Sequence, residues 1–222
     1  MRLLAIDTAT EACSAALWLD GELLTRCRRE PRRHAELILP LMQELLDEAG
    51  IALAALDALA FGRGPGSFTG VRIATGVVQG VALGAGLPVV PVSTLATLAQ
   101  GALRRHGRPR VLAAFDARMG ELYWGIFERD DEGLMRPRGG ELVAPAAQVP
   151  LPAEGEWFGA GSGWQAGGNE LAARLGPALA GSDPTLVSDA RDLAPLAVRG
   201  LQQGEAVAAE RVLPVYLRDR VA

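Results

Sequence analysis

The chain contains no lysine, two cysteines, two histidines and few aromatic side chains, so all 22 of its basic residues are arginine. Without lysine it has no Schiff-base former, no lysine general base and no P-loop phosphate ligand. Neither His34 nor His106 has an acidic neighbour at the spacing of a metal site, and the Cys-x-x-Cys and His-Glu-x-x-His motifs are absent. We therefore predict no metal site, no cofactor and no catalytic residue.

Length and composition are those of a soluble globular protein. The chain has 222 residues, of which 49% are hydrophobic and 22% charged, enough for one large or two small domains. Asp7 interrupts the first apolar run before a signal-peptide core could form. Four glycines, Gln79 and Pro88 interrupt the most apolar segment, 71–92, which argues against a membrane span. We expect a cytoplasmic protein.

The two cysteines are predicted to lie on one hairpin without bridging. An Asp-Gly turn at 20–21 sets a register that places Cys13 opposite Arg28 and points Cys27 to the other side of the sheet. Thiols on opposite faces cannot form a disulfide. We expect both to be packed, reduced thiols.

Hydrophobic periodicity predicts an α/β protein with two similar halves, 1–106 and 107–222, each beginning with antiparallel strands. The predicted strands cover 2–7, 12–19, 22–29, 56–62, 87–91, 110–116, 121–128, 139–143 and 156–160. The predicted helices cover 34–50, 67–84, 93–105, 164–175 and 189–203.

A glycine loop, Gly-Arg-Gly-Pro-Gly-Ser-Phe-Thr-Gly-Val-Arg at 62–72, joins a predicted strand to a predicted helix. That order is typical of phosphate sites, because a helix N-terminus presents free N–H groups. The P-loop lysine is missing, however, and Ser67 or Thr69 stands where a dinucleotide fingerprint needs its third glycine. The fingerprint's ribose-binding acid is also missing, since 58–115 contains no Asp or Glu.

Two interpretations of this loop stay open. The favoured one is a structural turn whose helix is capped by Ser67 or Thr69. The alternative is a residual nucleotide contact, for which the candidates are Asp7, Gly64, Gly66 and Ser67.

Asp7 and Asp116 occupy similar places at the ends of predicted strands in the two halves. Carboxylates at such ends can hold Mg²⁺. They are also common turn and helix-cap residues, and we favour that interpretation.

The helix after the loop combines an uncharged surface with a row of glycines. Gly76, Gly80 and Gly84 recur every four residues and therefore lie on one face. Three glycines inside a helix cost roughly 2–3 kcal/mol relative to alanine, which close approach of another backbone could offset. Either the helix is buried within this chain, or it packs against a partner protein.

Clustered arginines at 26–33 and 104–110 could meet RNA phosphates. Because the sequence pI is near 5.3 and no aromatic residues are interleaved with them, a solvated surface is favoured.

Several motifs resemble the bacterial TsaB (YeaZ) family of tRNA threonylcarbamoyladenosine biosynthesis, and the resemblance spans nearly the whole chain. They are Ala-Ile-Asp-Thr-Ala-Thr at 5–10, His-Ala-Glu-Leu at 34–37, the glycine loop at 62–72, Asp-Ala-Arg-Met-Gly-Glu-Leu-Tyr-Trp at 116–124 and Pro-Val-Tyr-Leu-Arg at 214–218.

The resemblance implies an actin-like ATPase (ASKHA) fold with two ribonuclease-H-like halves, each a mixed sheet flanked by helices. It also implies a catalytic paralogue, TsaD, with a metal-binding His-x-x-x-His. Thr94 and Leu98 stand at the matching positions here, and a leucine cannot ligate a metal. A non-catalytic subunit is therefore expected.

The same resemblance implies partners: TsaD, the ATPase subunit TsaE, and a second copy when the chain is alone, with only indirect or weak contact to tRNA. The family's pairing helices correspond to 34–49 and 67–84. The expected interface residues are Leu37, Leu41, Leu45, Gly76, Val77, Gly80 and Gly84. An ATP-binding or hydrolytic, protease-like enzyme of the same fold is the alternative.

Overall fold

The computed structural model describes residues 1–30 and 32–218, which form two compact units. Unit 1 consists of Met1–Thr97 and Ser188–Val215, and unit 2 consists of Leu98–Val187 and the described residues 216–218. The last residues of the predicted second half, 219–222, lie outside the described chain.

The elements follow the chain in a regular order. The strands are β1 (Arg2–Asp7), β2 (Cys13–Leu19), β3 (Glu22–Arg28), β4 (Ala58–Gly62), β5 (Val89–Val92), β6 (Arg110–Asp116), β7 (Glu121–Arg129), β8 (Met135–Pro137), β9 (Leu142–Pro145), β10 (Trp157–Ala160) and β11 (Leu179–Asp183). The α-helices are α1 (His34–Ala49), α2 (Phe68–Ala85), α3 (Thr94–His106), α4 (Gly163–Ala166), α5 (Gly168–Leu175) and α6 (Ala190–Gln202).

The sheet of unit 1 has the strand order β3-β2-β1-β4-β5. Strands β1 to β3 are antiparallel neighbours, whereas β4 and β5 run parallel to β1. The register places Cys13 opposite Arg28, which confirms the predicted hairpin. Both thiols are free, although Cys27 is exposed rather than packed.

Helices cover both faces of this sheet. Alternate residues of a strand point to opposite faces, so Leu4 and Ile6 pack with α1 and α2 while Leu3 and Ala5 pack with α6. The helix predicted at 189–203 thus packs on β1 and β2, in unit 1 rather than with the second half. This placement of the helix follows because the second face of β1 is also apolar. That face must be buried, and the first half supplies no helix to bury it.

The sheet of unit 2 repeats the pattern. Its order is β11-β10-β6-β7-β8, with β9 also paired to β7. Strands β6, β7 and β8 are antiparallel neighbours, and β10 and β11 run parallel to β6. The prediction of two similar α/β halves is confirmed in this topology.

Three local features differ from the prediction. The short strands β8 and β11 were not predicted, because Met-Arg-Pro and Leu-Ala-Gly-Ser-Asp carry little strand propensity. The helix predicted at 164–175 is divided at Gly167 into α4 and α5. A Cβ at Gly167 would lie 2.9 Å from Cβ of Ala146, so close packing requires glycine there.

By length and composition α2 could cross a membrane, with a mean hydropathy of 1.2 over 18 residues. A core helix of a folded domain passes the same test, and α2 places Ala74, Val78 and Ala82 in the core of unit 1.

Candidate functional site

The glycine loop forms a turn that starts α2. Ser67 is the N-cap residue, and its Oγ accepts a hydrogen bond from the backbone N–H of Gly70 over 3.4 Å. The N–H of Ser67 itself donates to the carbonyl oxygen of Ala9 over 2.8 Å. These contacts confirm the structural interpretation, with Ser67 rather than Thr69 as the cap.

Atoms of the same chain occupy the space that the glycines leave. A Cβ at Gly66 would lie 2.6 Å from the carbonyl oxygen of Ala9, and one at Gly64 would lie 2.8 Å from that of Val215. Gly64 also has a φ of +102°, which L side chains rarely adopt. Packing within unit 1 therefore accounts for both glycines without a bound phosphate.

Asp7 is fully buried at the end of β1. Its Oδ1 accepts a hydrogen bond from the backbone N–H of Ala9 over 2.8 Å, and its Oδ2 accepts one from the hydroxyl of Ser188. Burial raises the pKa of Asp7 to about 6, although both hydrogen bonds act in the opposite direction. A Cβ at Gly62 would lie 2.9 Å from Oδ2, so the carboxyl group is tightly enclosed.

Asp116 makes the same contact with its own turn in unit 2, although its side chain is 28% exposed. Its Oδ1 accepts from the backbone N–H two residues on, that of Arg118, over 2.8 Å. This is the turn role that the sequence favours for both aspartates. Within the described residues, no three His, Cys, Asp or Glu side chains lie close enough together to hold a metal ion.

Thr94 and Leu98, which are expected to stand in place of the catalytic paralogue's histidines, both pack inside the chain. Thr94 is buried, and its N–H and hydroxyl donate to the carbonyl oxygens of Gly64 and Pro65. Leu98 is buried in unit 2, where a Cβ at Gly161 would lie 2.5 Å from its Cδ2. Neither side chain offers a strong metal ligand.

One face of α2 is open to solvent. Gly76, Gly80 and Gly84 are all exposed, and a Cβ at any of them would meet nothing within 4 Å. The alternative of burial within this chain is thus wrong for this strip, as far as the described residues extend. We define the α2 face as these three glycines together with the half-buried Ile73, Val77 and Val81 and the exposed Leu83.

The structure corrects the part of the expected interface that lies on helix α1. Leu41 and Leu45 are 2% and 0% exposed and belong to the core of unit 1, so they do not face a partner. Their spacing fits an amphipathic stripe, which the sheet itself covers. Leu37 is half-buried at the edge of that core.

Sequence reasoning missed two exposed leucines. Leu39 of α1 and Leu83 of α2 are 49% and 60% exposed. Leu39 lies off the apolar stripe of its helix, and an apolar side chain outside the stripe was the signal that could have found it.

Comparison with known proteins identifies the family. The model described as "TsaD: tRNA N6-adenosine threonylcarbamoyltransferase" matches residues 28–161. The TsaB protein of tRNA threonylcarbamoyladenosine biosynthesis from Escherichia coli strain K12 is 48% identical over 225 residues, covering all of this chain and 96% of that protein. The chain belongs to the TsaB (YeaZ) family.

Other TsaB-family members support the assignment. The Haemophilus influenzae protein is 38% identical over 232 residues, covering all of this chain and 95% of its own. The solved structure of YeaZ from Pseudomonas aeruginosa is 50% identical and matches with a TM-score of 0.90, covering 97% of this chain and 99% of that one.

The expected fold is confirmed: both sheets belong to an actin-like, ribonuclease-H-like α/β fold. As a TsaB-family member, the chain takes part in forming threonylcarbamoyladenosine on tRNA.

Proposed function

We propose that this chain is a non-catalytic subunit that binds a TsaD-type threonylcarbamoyltransferase through the α2 face. It thereby supports formation of threonylcarbamoyladenosine at position 37 of tRNAs that read codons starting with A. The open glycine strip at Gly76, Gly80 and Gly84 is the observation that carries the proposal.

The strip needs a stabilising contact that the described chain does not supply. Three glycines cost the helix roughly 2–3 kcal/mol relative to alanine. Apart from the backbone of α2 itself, no atom of the described chain lies within 4 Å of where a Cβ would stand, so alanine would fit at each position and packing within the chain does not explain the glycines. A second helix packed closely on the strip would explain it, because glycine lets two backbones approach and adds dispersion contacts. The apolar residues beside the strip suit such a partner.

The catalytic paralogue is the partner that fits best. It shares the family model, whereas Thr94 and Leu98 leave this chain without its histidine pair. A second copy of this chain would cover the same face when the paralogue is absent. We propose that TsaE joins the resulting assembly, and that the chain itself works in the cytoplasm.

The substitution Gly80→Leu tests the interface. The added side chain enters open space in the isolated chain, so it should raise the free energy of unfolding by roughly 0.5–1 kcal/mol through helix propensity. It should also block close approach and weaken binding to the catalytic paralogue by about tenfold or more, which corresponds to about 1.4 kcal/mol. Affinity is measured by calorimetry, and stability by urea denaturation.

Ala173→Leu is the matched control, because it adds a leucine at an exposed position of α5 in unit 2. It should leave binding unchanged. Unchanged binding of the Gly80→Leu variant would contradict the placement of the interface, and no binding by the unaltered chain would contradict the proposed function itself.

A further inference from the structure

Unit 2 contains a cavity of about 300 Å³ where β6, β7 and β10 come together. We call it the arginine cavity, because three of its lining residues are arginines: Arg108, Arg110 and Arg129. The rings of Trp157 and Phe158 also belong to its lining, and both residues are at least 94% buried.

Two of the arginines place one face of the guanidinium group over an aromatic ring. The Arg108 guanidinium lies over the Phe158 ring, 5.4 Å from its centroid, and that of Arg110 lies 6.0 Å from the centroid of Trp157. A guanidinium stacked on a ring keeps its N–H edge for another partner. The rings thus fix the positions of these arginines at little loss of hydrogen-bonding capacity.

The charges in the cavity favour an anion. Arg110 pairs with Glu128 over 2.8 Å, and Arg138 approaches the same carboxylate at 3.4 Å. In the described chain, the guanidinium groups of Arg108 and Arg129 have no carboxylate within ion-pair distance. Glu156 is the second acidic lining residue, so the lining carries three positive and two negative charges in a protein whose net charge is −4.

We propose that the arginine cavity binds phosphate groups of an RNA backbone. Arginine forks match phosphate oxygens in geometry and charge. Trp157 and Phe158 are only 5% and 6% exposed, so they offer little surface on which a base could stack, and a mononucleotide would gain little of the stacking energy that single-strand sites use. Backbone contact is independent of base sequence. The tRNA being modified is the occupant, and that identification rests on the proposed function.

This inference revises the sequence-based preference for a solvated arginine surface. That preference relied on the absence of aromatic residues between the arginines at 104–110. The fold brings Trp157 and Phe158 to those arginines from about 50 residues further along the chain, because β10 pairs with β6.

The double substitution Arg108→Gln with Arg129→Gln tests the site. Glutamine keeps part of the packing on Phe158 and removes both charges. We expect tRNA to bind the full chain about tenfold more weakly at low salt, with the slope of log K against log salt concentration shallower by about 2. Filter binding with an unmodified tRNA transcript measures both quantities. Glu156→Gln removes a repelling charge and should strengthen binding.

Arg118→Gln with Arg191→Gln is the matched control, since it removes two charges at exposed positions outside the cavity. An equal loss in this control would overturn the proposal, as would an unchanged slope in the cavity variant. Inorganic phosphate and AMP serve as competitors. Displacement of the tRNA by an equimolar amount of either would assign the cavity to a small anion instead.

Co-purification with the catalytic paralogue separates this inference from the proposed function. The cavity variant should retain the paralogue. If the paralogue is retained and tRNA binding is unaffected, the arginine cavity alone is refuted; if even the unaltered chain fails to retain the paralogue, the proposed function fails.

Discussion

At the scale of single residues, Asp7 shows how this fold uses a carboxyl group for structure. The side chain is fully buried at the end of β1, and Ser188 donates a hydrogen bond to it from 181 residues away in the sequence. It ties the end of β1 to the segment that leads into α6. The enclosure that makes this link also excludes the water that would stabilise a carboxylate.

Asp7 should make the stability of unit 1 depend on pH. Its pKa is about 6 in the folded chain against an ordinary value of 3.8, so the folded state binds more protons between these values. The stabilisation is therefore fully present below about pH 4 and is lost as pH rises through about 6. Asp7→Asn removes the dependence. Relative to this variant, the unaltered chain should lose about 2 to 3 kcal/mol of unfolding free energy between pH 4 and 7.5.

Urea denaturation of both proteins at the two pH values gives this difference directly, because contributions from other acidic residues cancel in the comparison. A constant difference between the unaltered chain and Asp7→Asn would contradict the account of the buried carboxyl group.

At the scale of elements, α1 and α2 flank the same sheet but differ in what they leave exposed. Helix α1 buries its apolar stripe and, with the exception of Leu39, exposes mainly polar, charged or small residues. Helix α2 buries Ala74, Val78 and Ala82 and still presents apolar side chains and glycines to solvent. In our proposal, the buried leucines of α1 therefore stabilise the fold, and the α2 face binds the partner.

Two leucine substitutions should separate these roles. Leu45→Ala removes a fully buried side chain and should lower the unfolding free energy by about 2–5 kcal/mol. Leu83→Ala removes a side chain that is 60% exposed, so stability should change by no more than about 0.5 kcal/mol while affinity for the catalytic paralogue falls. Denaturation and calorimetry on the same two variants check this. Similar losses of stability in both would contradict the division of roles.

The elements were predictable where their signals are local. The Asp-Gly turn gave the register of β2 and β3, and periodicity gave α1 and α2 within two residues at each end. The packing partner of a helix is not a local property. For that reason the sequence could not show that α6 covers β1, that Leu41 faces the core, or that Trp157 lies beside Arg110.

The candidate site was predictable in part for the same reason. A glycine spacing of four residues shows that Gly76, Gly80 and Gly84 share a face, but whether that face is open depends on the rest of unit 1. The expectation that Thr94 and Leu98 replace a histidine pair of the catalytic paralogue needs the sequence alone, and it stays a prediction. The tight enclosure of Gly64 and Gly66 by the chain's own carbonyl groups is a three-dimensional fact that no spacing encodes.

At the scale of the whole molecule, two units of like topology perform different tasks. Unit 1 carries a glycine loop whose glycines now pack against its own backbone, and the helix that follows presents the α2 face. Unit 2 repeats the strand order and carries the arginine cavity. In our account, each unit thus supplies one binding surface.

Reconstitution of tRNA modification from purified subunits tests the central claim most directly. The assay contains ATP, Mg²⁺, threonine, bicarbonate, an enzyme that supplies the activated threonylcarbamoyl group, TsaE and an unmodified tRNA; this chain and the catalytic paralogue are omitted in turn. We predict no threonylcarbamoyladenosine without the paralogue, a marked loss without this chain, and rescue by the unaltered chain but not by Gly80→Leu. Product formed by this chain in the absence of the paralogue would contradict the claim that it is a non-catalytic partner.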